Sequence, residues 1–446
     1  MKTAKKVLLI ILSILIVFSC KRYTEPEGSN VANEEENGSG LVDGGNNGGG
    51  GSTIEDETGP LTGSGVGISL GSFTLPKNSL SQEEQNKDYD PTYNHAVLFA
   101  NGGIPALTTT SKGALVAAVG YEGNILVKKS LDSGKTWFIS QVATETPSRN
   151  PFFINCHNGD VLLGVTTYGA GFTNTIFYRS TDDGGSWTKQ ESLVKVSDID
   201  SKVTSNFVIY GQGVTLRHGA NAGKNKLLFP YSYSTNRYLD QTQWTMTINS
   251  SDDGKKWDII SNRIKGTLQI SGNPFGDFSA YENKIYETSE GNILLNLRTP
   301  GNLMYWGRST NYGKDWVITT IQQQEKSDND RHADLVRYEF NGKPIKGPKY
   351  GLMAYSTQSG QYKVRLTDND FNNGDKSGSK YKKTEIIVAD TGITNGYPAI
   401  TVLPDGTIGT LTEEMKDSSA NIIFRRFNLY WLTYGSEKVD YSTLAY

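Results

Sequence analysis

Apolar residues in this chain come in short runs that stop at polar, glycine-bearing turns and then resume. Six stretches carry the pattern: PALTTTSKGALVAAV (Pro105–Val119), FFINCHNGDVLLGVTT (Phe152–Thr167), VTLRHGANAGKNKLLFPYS (Val214–Ser232), IYETSEGNILLNLR (Ile285–Arg298), GLMAYSTQSGQYKVRLT (Gly351–Thr367) and AITVLPDGTIGTLTE (Ala399–Glu413). In each, strand formers flank a turn of Gly, Asn, Asp or Ser, and none keeps the apolar spacing of an amphipathic helix. The pattern predicts six strand pairs and no competing helix.

Four copies of one signature sharpen this reading. SLDSGKTW (Ser130–Trp137), STDDGGSW (Ser180–Trp187), SSDDGKKW (Ser250–Trp257) and STNYGKDW (Ser309–Trp316) all fit SxDxGxxW, with Asn311 in the third place of the last. Each follows a strand-like run such as NILVKKS. Ser and Asp or Asn accept bonds from turn amides, Gly supplies a positive φ, and Trp folds back as an apolar cap. Copies some 50–70 residues apart suit one four-stranded blade per repeat, so the fold expected is a six-bladed β-propeller over residues 89–446. The last apolar strand, NIIFRRFNLYWLT (Asn421–Thr433), is expected to pair with His95–Phe99 and close the ring.

Ahead of the propeller lie two segments of a different kind. Residues 1–19 read as a signal peptide, with Lys2, Lys5 and Lys6 before an apolar stretch from Val7 to Phe18 that is too short to span a bilayer. VFSC resembles a bacterial lipoprotein box, which implies a lipid on Cys20 and a place on the cell surface or outer membrane. Residues 20–88, rich in Glu, Asn and Gly through VDGGNNGGGGST, read as a flexible tether and lead-in.

Charge and cysteine content remove whole classes of function. Lys plus Arg number 44 against 47 Asp plus Glu, and no basic run is interleaved with aromatics, so nucleic acid is not an expected partner. Cys156 is the one cysteine besides Cys20, which leaves no disulfide framework, and it is expected to be a buried strand residue. His95, His157, His218 and His332 are scattered without metal-ligand spacing and read as ordinary loop or core residues. No metal or cofactor is expected, and the protein is expected to act as a monomer.

Two stretches carry candidate chemistry. YENKIYETSEGNILLNLR (Tyr281–Arg298) and GYPAITVLPDGTIGTLTEE (Gly396–Glu414) resemble the bacterial exo-sialidases, the family whose propellers carry such capped turns. The resemblance implies Glu282 at the start of one family strand, Arg298 at its end, and Tyr397 at the position of the nucleophilic tyrosine. RNPFFINCHNGDVLL and YGQGVTLRHG resemble the second and third blades, so that the likeness runs from about Gly102 to Thr433.

The residue types suit the chemistry. Sialic acid bears a carboxylate on its anomeric carbon, and a neutral phenol avoids the repulsion that an Asp or Glu nucleophile would meet. Phenol is a poor nucleophile unless a base takes its proton, which is the task implied for Glu282. Arg298 would hold the substrate carboxylate through charged hydrogen bonds, each about 1.5–3 kcal/mol.

The first blade departs from the family. Its clamp arginine, expected within NGGIPALTTT, is replaced by Gly103, and the third clamp position falls near QSGQYKVRLTD, which offers Gly360 near that place and Arg365 within the strand. The family's general acid sits between the first motif and the first capped turn. There VGYEGNILVKKS offers Glu122 as its one carboxylate. Three readings therefore stand: a divergent sialidase acting on sialylated glycans, with Arg298, Arg217 or Arg365 holding the carboxylate; a glycosidase for another sugar; and a surface lectin without turnover.

Overall fold

The computed structural model describes residues 95–440 and 444, apart from 141, 143–147, 170–171, 196–204, 209–210, 235–242, 260–280, 299–304, 321–331, 358, 373–383, 393–395 and 417–418. The segments read from sequence as signal peptide and tether, and Cys20, lie outside the described residues. From residue 95 on, the six predicted strand pairs each grow into a largely antiparallel sheet, and the sheets form a six-bladed β-propeller.

Strand β1 (His95–Phe99) precedes blade 1, which is β2 (Gly103–Thr109), β3 (Leu115–Tyr121), β4 (Asn124–Ser130) and β5 (Phe138–Ser140). Blade 2 is β6 (Ser148–Asn155), β7 (Val161–Gly169), β8 (Phe172–Ser180) and β9 (Thr188–Lys195). Blade 3 contains β10 (Ser205–Val208), β11 (Gly211–Gln212), β12 (Val214–Thr215), β13 (Leu227–Ser234), β14 (Gln243–Ser250) and β15 (Asp258–Ile259). Blade 4 is β16 (Tyr281–Glu287), β17 (Ile293–Arg298), β18 (Tyr305–Ser309) and β19 (Val317–Thr320). Blade 5 is β20 (Ala333–Arg337), a small ribbon of β21 (Glu339–Phe340) and β22 (Lys343–Pro344), then β23 (Gly351–Ser356), β24 (Gln361–Thr367) and β25 (Thr384–Asp390). Blade 6 is β26 (Pro398–Val402), β27 (Ile408–Lys416) and β28 (Ser419–Phe427), with β1 as its outer strand.

That last pairing closes the ring as expected, with His95 opposite Arg425 and Ala96 opposite Phe424. One expectation fails at this end. The strand stops at Phe427 and Leu429–Leu432 form a helical turn, α1, because the Asn428 side chain accepts the Trp431 amide at 2.8 Å and caps it.

All four capped turns form as the signature predicts. In the first, Ser130 Oγ accepts the Gly134 amide at 2.8 Å while Asp132 accepts the Thr136 amide at 2.8 Å. The indoles then lock blades together. Trp137 meets Phe424 of blade 6 edge-on with centroids 5.2 Å apart, and Trp257 stacks on Phe177 of blade 2 at 4.5 Å. A fifth, disguised turn closes β24, where Thr367 replaces Ser, Asn369 replaces Asp and Phe371 takes the glycine place at φ 52°. Phe371 stacks on Trp306 of blade 4. Each large buried ring contributes about 1.5–3 kcal/mol.

Successive strands within a blade reverse direction, so all the capped turns lie at one end of the channel and the starts of the inner strands at the other. β11 departs from its blade: it pairs in parallel with β6 and lies against the inner strands β2, β16, β20 and β26. It therefore lies within the channel, among the inner strands.

Candidate active site

Three inner strands open with an extra residue. The register slips between Gly103 and Ala106 in β2, Arg149 and Phe152 in β6, and Tyr281 and Lys284 in β16. Within these bulges Ile104, Asn150 and Glu282 take left-handed backbone, at φ 56°, 54° and 54°. Asn tolerates that conformation, whereas a β-branched Ile or a Glu there costs on the order of 1–3 kcal/mol. In blade 4 the bulge re-aims a carboxylate.

Glu282 Oε1 accepts a hydrogen bond from Tyr397 Oη at 2.9 Å, across 115 residues of sequence. Tyr397 stands just before β26, on the inner strand of blade 6. A third residue completes the cluster. His332, just before β20, has its Nδ1 3.2 Å from Glu282 Oε2 and its ring centroid 3.6 Å from that of Tyr397. The side chains of His332 and Glu282 are only 5% and 10% exposed, and Tyr397 is half-buried beside them. A phenol in contact with a carboxylate, oriented in turn by an imidazole, is an arrangement for moving a proton off the phenol.

Beside Tyr397 stands a second carboxyl. Glu413, on β27, accepts the Tyr397 amide at 3.2 Å and the Ile104 amide at 3.3 Å, both through Oε2. Burial raises its pKa to about 7 against the lowering effect of those two amides. Its own amide returns a bond to the Tyr397 carbonyl at 3.1 Å, and the Tyr362 hydroxyl bonds the Glu413 carbonyl. Gly396 makes this crossing possible, because a Cβ there would lie 1.9 Å from the Glu413 carbonyl oxygen.

Two positions deeper along β16 and β20, Lys284 and Asp334 are both buried and each favours the charged form of the other. Burial lowers Lys284 to about 8, opposed by Asp334, and raises Asp334 to about 6, opposed by Lys284 and by amides including that of Ile400 at 3.1 Å. Gln212 of β11 ties in by donating its Nε2 to the Ile400 carbonyl at 2.6 Å. Further toward the capped-turn end lies a cavity of about 140 Å³ bordered by Arg217, Arg337, Glu287 and Glu339.

The sequence-derived residues divide accordingly. Tyr397 and Glu282 meet. Arg298 ends β17 opposite Tyr281, which sets its backbone at the level of Glu282; its side chain lies outside the described residues. Glu122 is exposed in the two-residue turn between β3 and β4, at the same end of the propeller as Tyr397. Arg365 is not brought to this cluster. It lies two strands out from β20, level with Met353 and Leu335, where its Nε bonds Glu385 at 2.7 Å and its guanidinium covers the Tyr355 ring. Alternation along β24 turns it into the blade rather than toward the channel. Arg217, likewise considered for the carboxylate, borders the cavity toward the capped-turn end. Cys156 is buried as expected, with burial pushing its thiol up to about 12.

Sequence reasoning passed over His332 and Glu413. His332 read as an ordinary residue because nothing local marks it; its position just before the inner strand ADLVR was the one available sign. Glu413 lay within the stretch already matched to the sialidases and carried no assigned task.

A propeller with a phenol–carboxylate pair at the mouth of its channel belongs to a recognisable class, and comparison with known proteins agrees. The curated sialidase of Micromonospora viridifaciens is 25% identical over 375 residues, covering 75% of this chain. The chain spans about half of that relative's length, 52%. Among solved structures, the intramolecular trans-sialidase of Ruminococcus gnavus matches with a TM-score of 0.54 at 16% identity, covering 74% of this chain and 95% of that one. The NanB sialidase of Streptococcus pneumoniae matches at 0.56 and 16%, over 75% and 69% of the two chains. Trypanosoma rangeli sialidase matches at 0.52 and 17%, over 76% and 56%. No protein-family profile matches the chain. The chain is thus similar in sequence to a sialidase over three quarters of its length and shares the fold of solved sialidases.

Proposed function

We propose that this protein is a retaining glycosidase that releases terminal sialic acid from glycoconjugates, with Tyr397 as nucleophile and Glu282 as its base. The observation that carries the reading is the 2.9 Å hydrogen bond from Tyr397 Oη to Glu282 Oε1. The phenol proton passes to Glu282 as Oη bonds to the anomeric carbon, and the glycosidic oxygen leaves with a proton from an acid at the rim, assigned to Glu122. Water then attacks the same carbon and gives its proton to Glu122, restoring the acid, while Oη departs and takes its proton back from Glu282. His332 packs on the face of the phenol with its Nδ1 3.2 Å from the second oxygen of Glu282, a position suited to orienting both groups. Arg298 is assigned to the substrate carboxylate.

The substrate class comes from the relatives, whose names include sialidases and trans-sialidases. A lectin would need neither an activated phenol nor its base. The test is hydrolysis of a fluorogenic sialoside by Leu61–Tyr446 beside Tyr397→Phe and Glu282→Ala. Turnover that both substitutions abolish supports the reading; no release of sialic acid from that reporter or from sialylated glycoprotein contradicts it.

The proposal extends to location, from sequence alone: a lipid on Cys20 anchors a single chain at the cell surface, with the tether spacing the propeller from the bilayer. Labelled fatty acid incorporated by the wild type and lost in Cys20→Ala tests this.

A further inference from the structure

Gly103 leaves an open notch beside the nucleophile. Among the described residues, a Cβ at that position would meet one atom within 4 Å, Glu413 Oε1 at 3.5 Å. The other oxygen of the same carboxyl, Oε2, already accepts both the Tyr397 and the Ile104 amides. Oε1 has no partner among the described residues, and no Lys or Arg forms an ion pair with Glu413 among them. In the neutral acid Oε2, which accepts the two amides, would be the carbonyl and Oε1, beside the notch, would carry the proton.

We infer that Glu413 acts as a neutral carboxylic acid that donates a hydrogen bond from Oε1 to the carboxylate of the substrate, the position over Gly103 being filled by a proton donor rather than an arginine. The inference rests on the sialoside reading above. The surroundings support it. Ile104 and Gly103 of β2 bring no charge, Ile422 lies opposite Glu413 on β28, and the Tyr362 phenol reaches only the carbonyl of Glu413. The adjacent Glu414 is engaged by Arg425 and Thr412, while Glu282 and His332 stand on the far side of Tyr397. Burial without a cation holds the proton, with a pKa raised to about 7. Once ionised, Glu413 would face the substrate carboxylate with like charge.

Steady-state kinetics on a sialoside from pH 5 to 9 test the inference. The wild type is expected to show a KM that climbs about tenfold per pH unit above pH 7, with kcat little changed on that limb. Glu413→Gln, whose amide donates at every pH, should keep KM low and flat, and Gly103→Arg should do the same. Glu413→Ala should show a high KM throughout. A flat wild-type KM, or an unchanged KM in Glu413→Ala, overturns the inference. Binding of free sialic acid to Tyr397→Phe, followed by calorimetry over the same range, reads Glu413 without turnover and so separates its failure from that of the catalytic reading. A Kd that weakens above pH 7 with one proton taken up supports the inference. A pH-independent Kd, or no binding at any pH, contradicts it.

Discussion

Tyr397 and His332 share a face: their ring centroids lie 3.6 Å apart, and the imidazole Nδ1 reaches the same Glu282 that accepts the phenolic proton. The imidazole thus lies against both partners of the proposed transfer. His332→Ala should lower kcat by about ten- to a hundredfold with KM little altered, because loss of orientation affects the step and not binding. A parallel change in kcat and KM, or a fall no larger than twofold, would assign His332 to packing alone.

The Lys284–Asp334 pair should be structural. Asp334→Asn leaves a buried ammonium without its carboxylate, and stability should fall by about 3–5 kcal/mol in denaturant titration. Replacing both, as Lys284→Met with Asp334→Asn, should recover most of that loss. A cost under about 1 kcal/mol for the single change would mean that the ammonium escapes to water.

Capped turns should govern stability and not activity. A Cβ on Gly134 would lie 2.3 Å from the Phe424 ring in a backbone of φ 89°, so Gly134→Ala should destabilise by about 2–4 kcal/mol. Molecules still folded should retain the wild-type kcat, measured well below the shifted melting temperature.

The protonation of Glu413 should also appear in the pH profile of unfolding. Its folded pKa, about 7, exceeds the ordinary value of 4.5, so its contribution is fully present below pH 4.5 and is lost as pH rises through 7. The difference is at most about 3 kcal/mol. Glu413→Gln should remove this slope and melt higher than the wild type at pH 8. Equal slopes in the two proteins would place the titration elsewhere.

Much of this was legible in the sequence because the information is local. A Ser, an Asp and a Gly at fixed offsets make a capped turn by themselves, and Glu282 and Tyr397 each sit in a contiguous stretch with a recognisable pattern. What the sequence hid is set by the ring. His332 becomes part of the site only because blade 5 stands between blades 4 and 6, and Arg365 leaves it because its alternation on a third strand points it at Glu385. The fifth capped turn escaped notice for a different reason: Thr367, Asn369 and Phe371 replace all three signature residues while keeping their hydrogen bonds and backbone angles.

The most direct test of the central claim is covalent trapping of Tyr397. A sialosyl fluoride carrying a second fluorine at the neighbouring carbon lets the first displacement proceed and slows the second, so a glycosyl-enzyme accumulates. Mass spectrometry of the digested protein should find one added sugar on the peptide bearing Tyr397, absent from Tyr397→Phe. An adduct on another residue, or none under conditions in which the wild type releases sialic acid, would contradict the account.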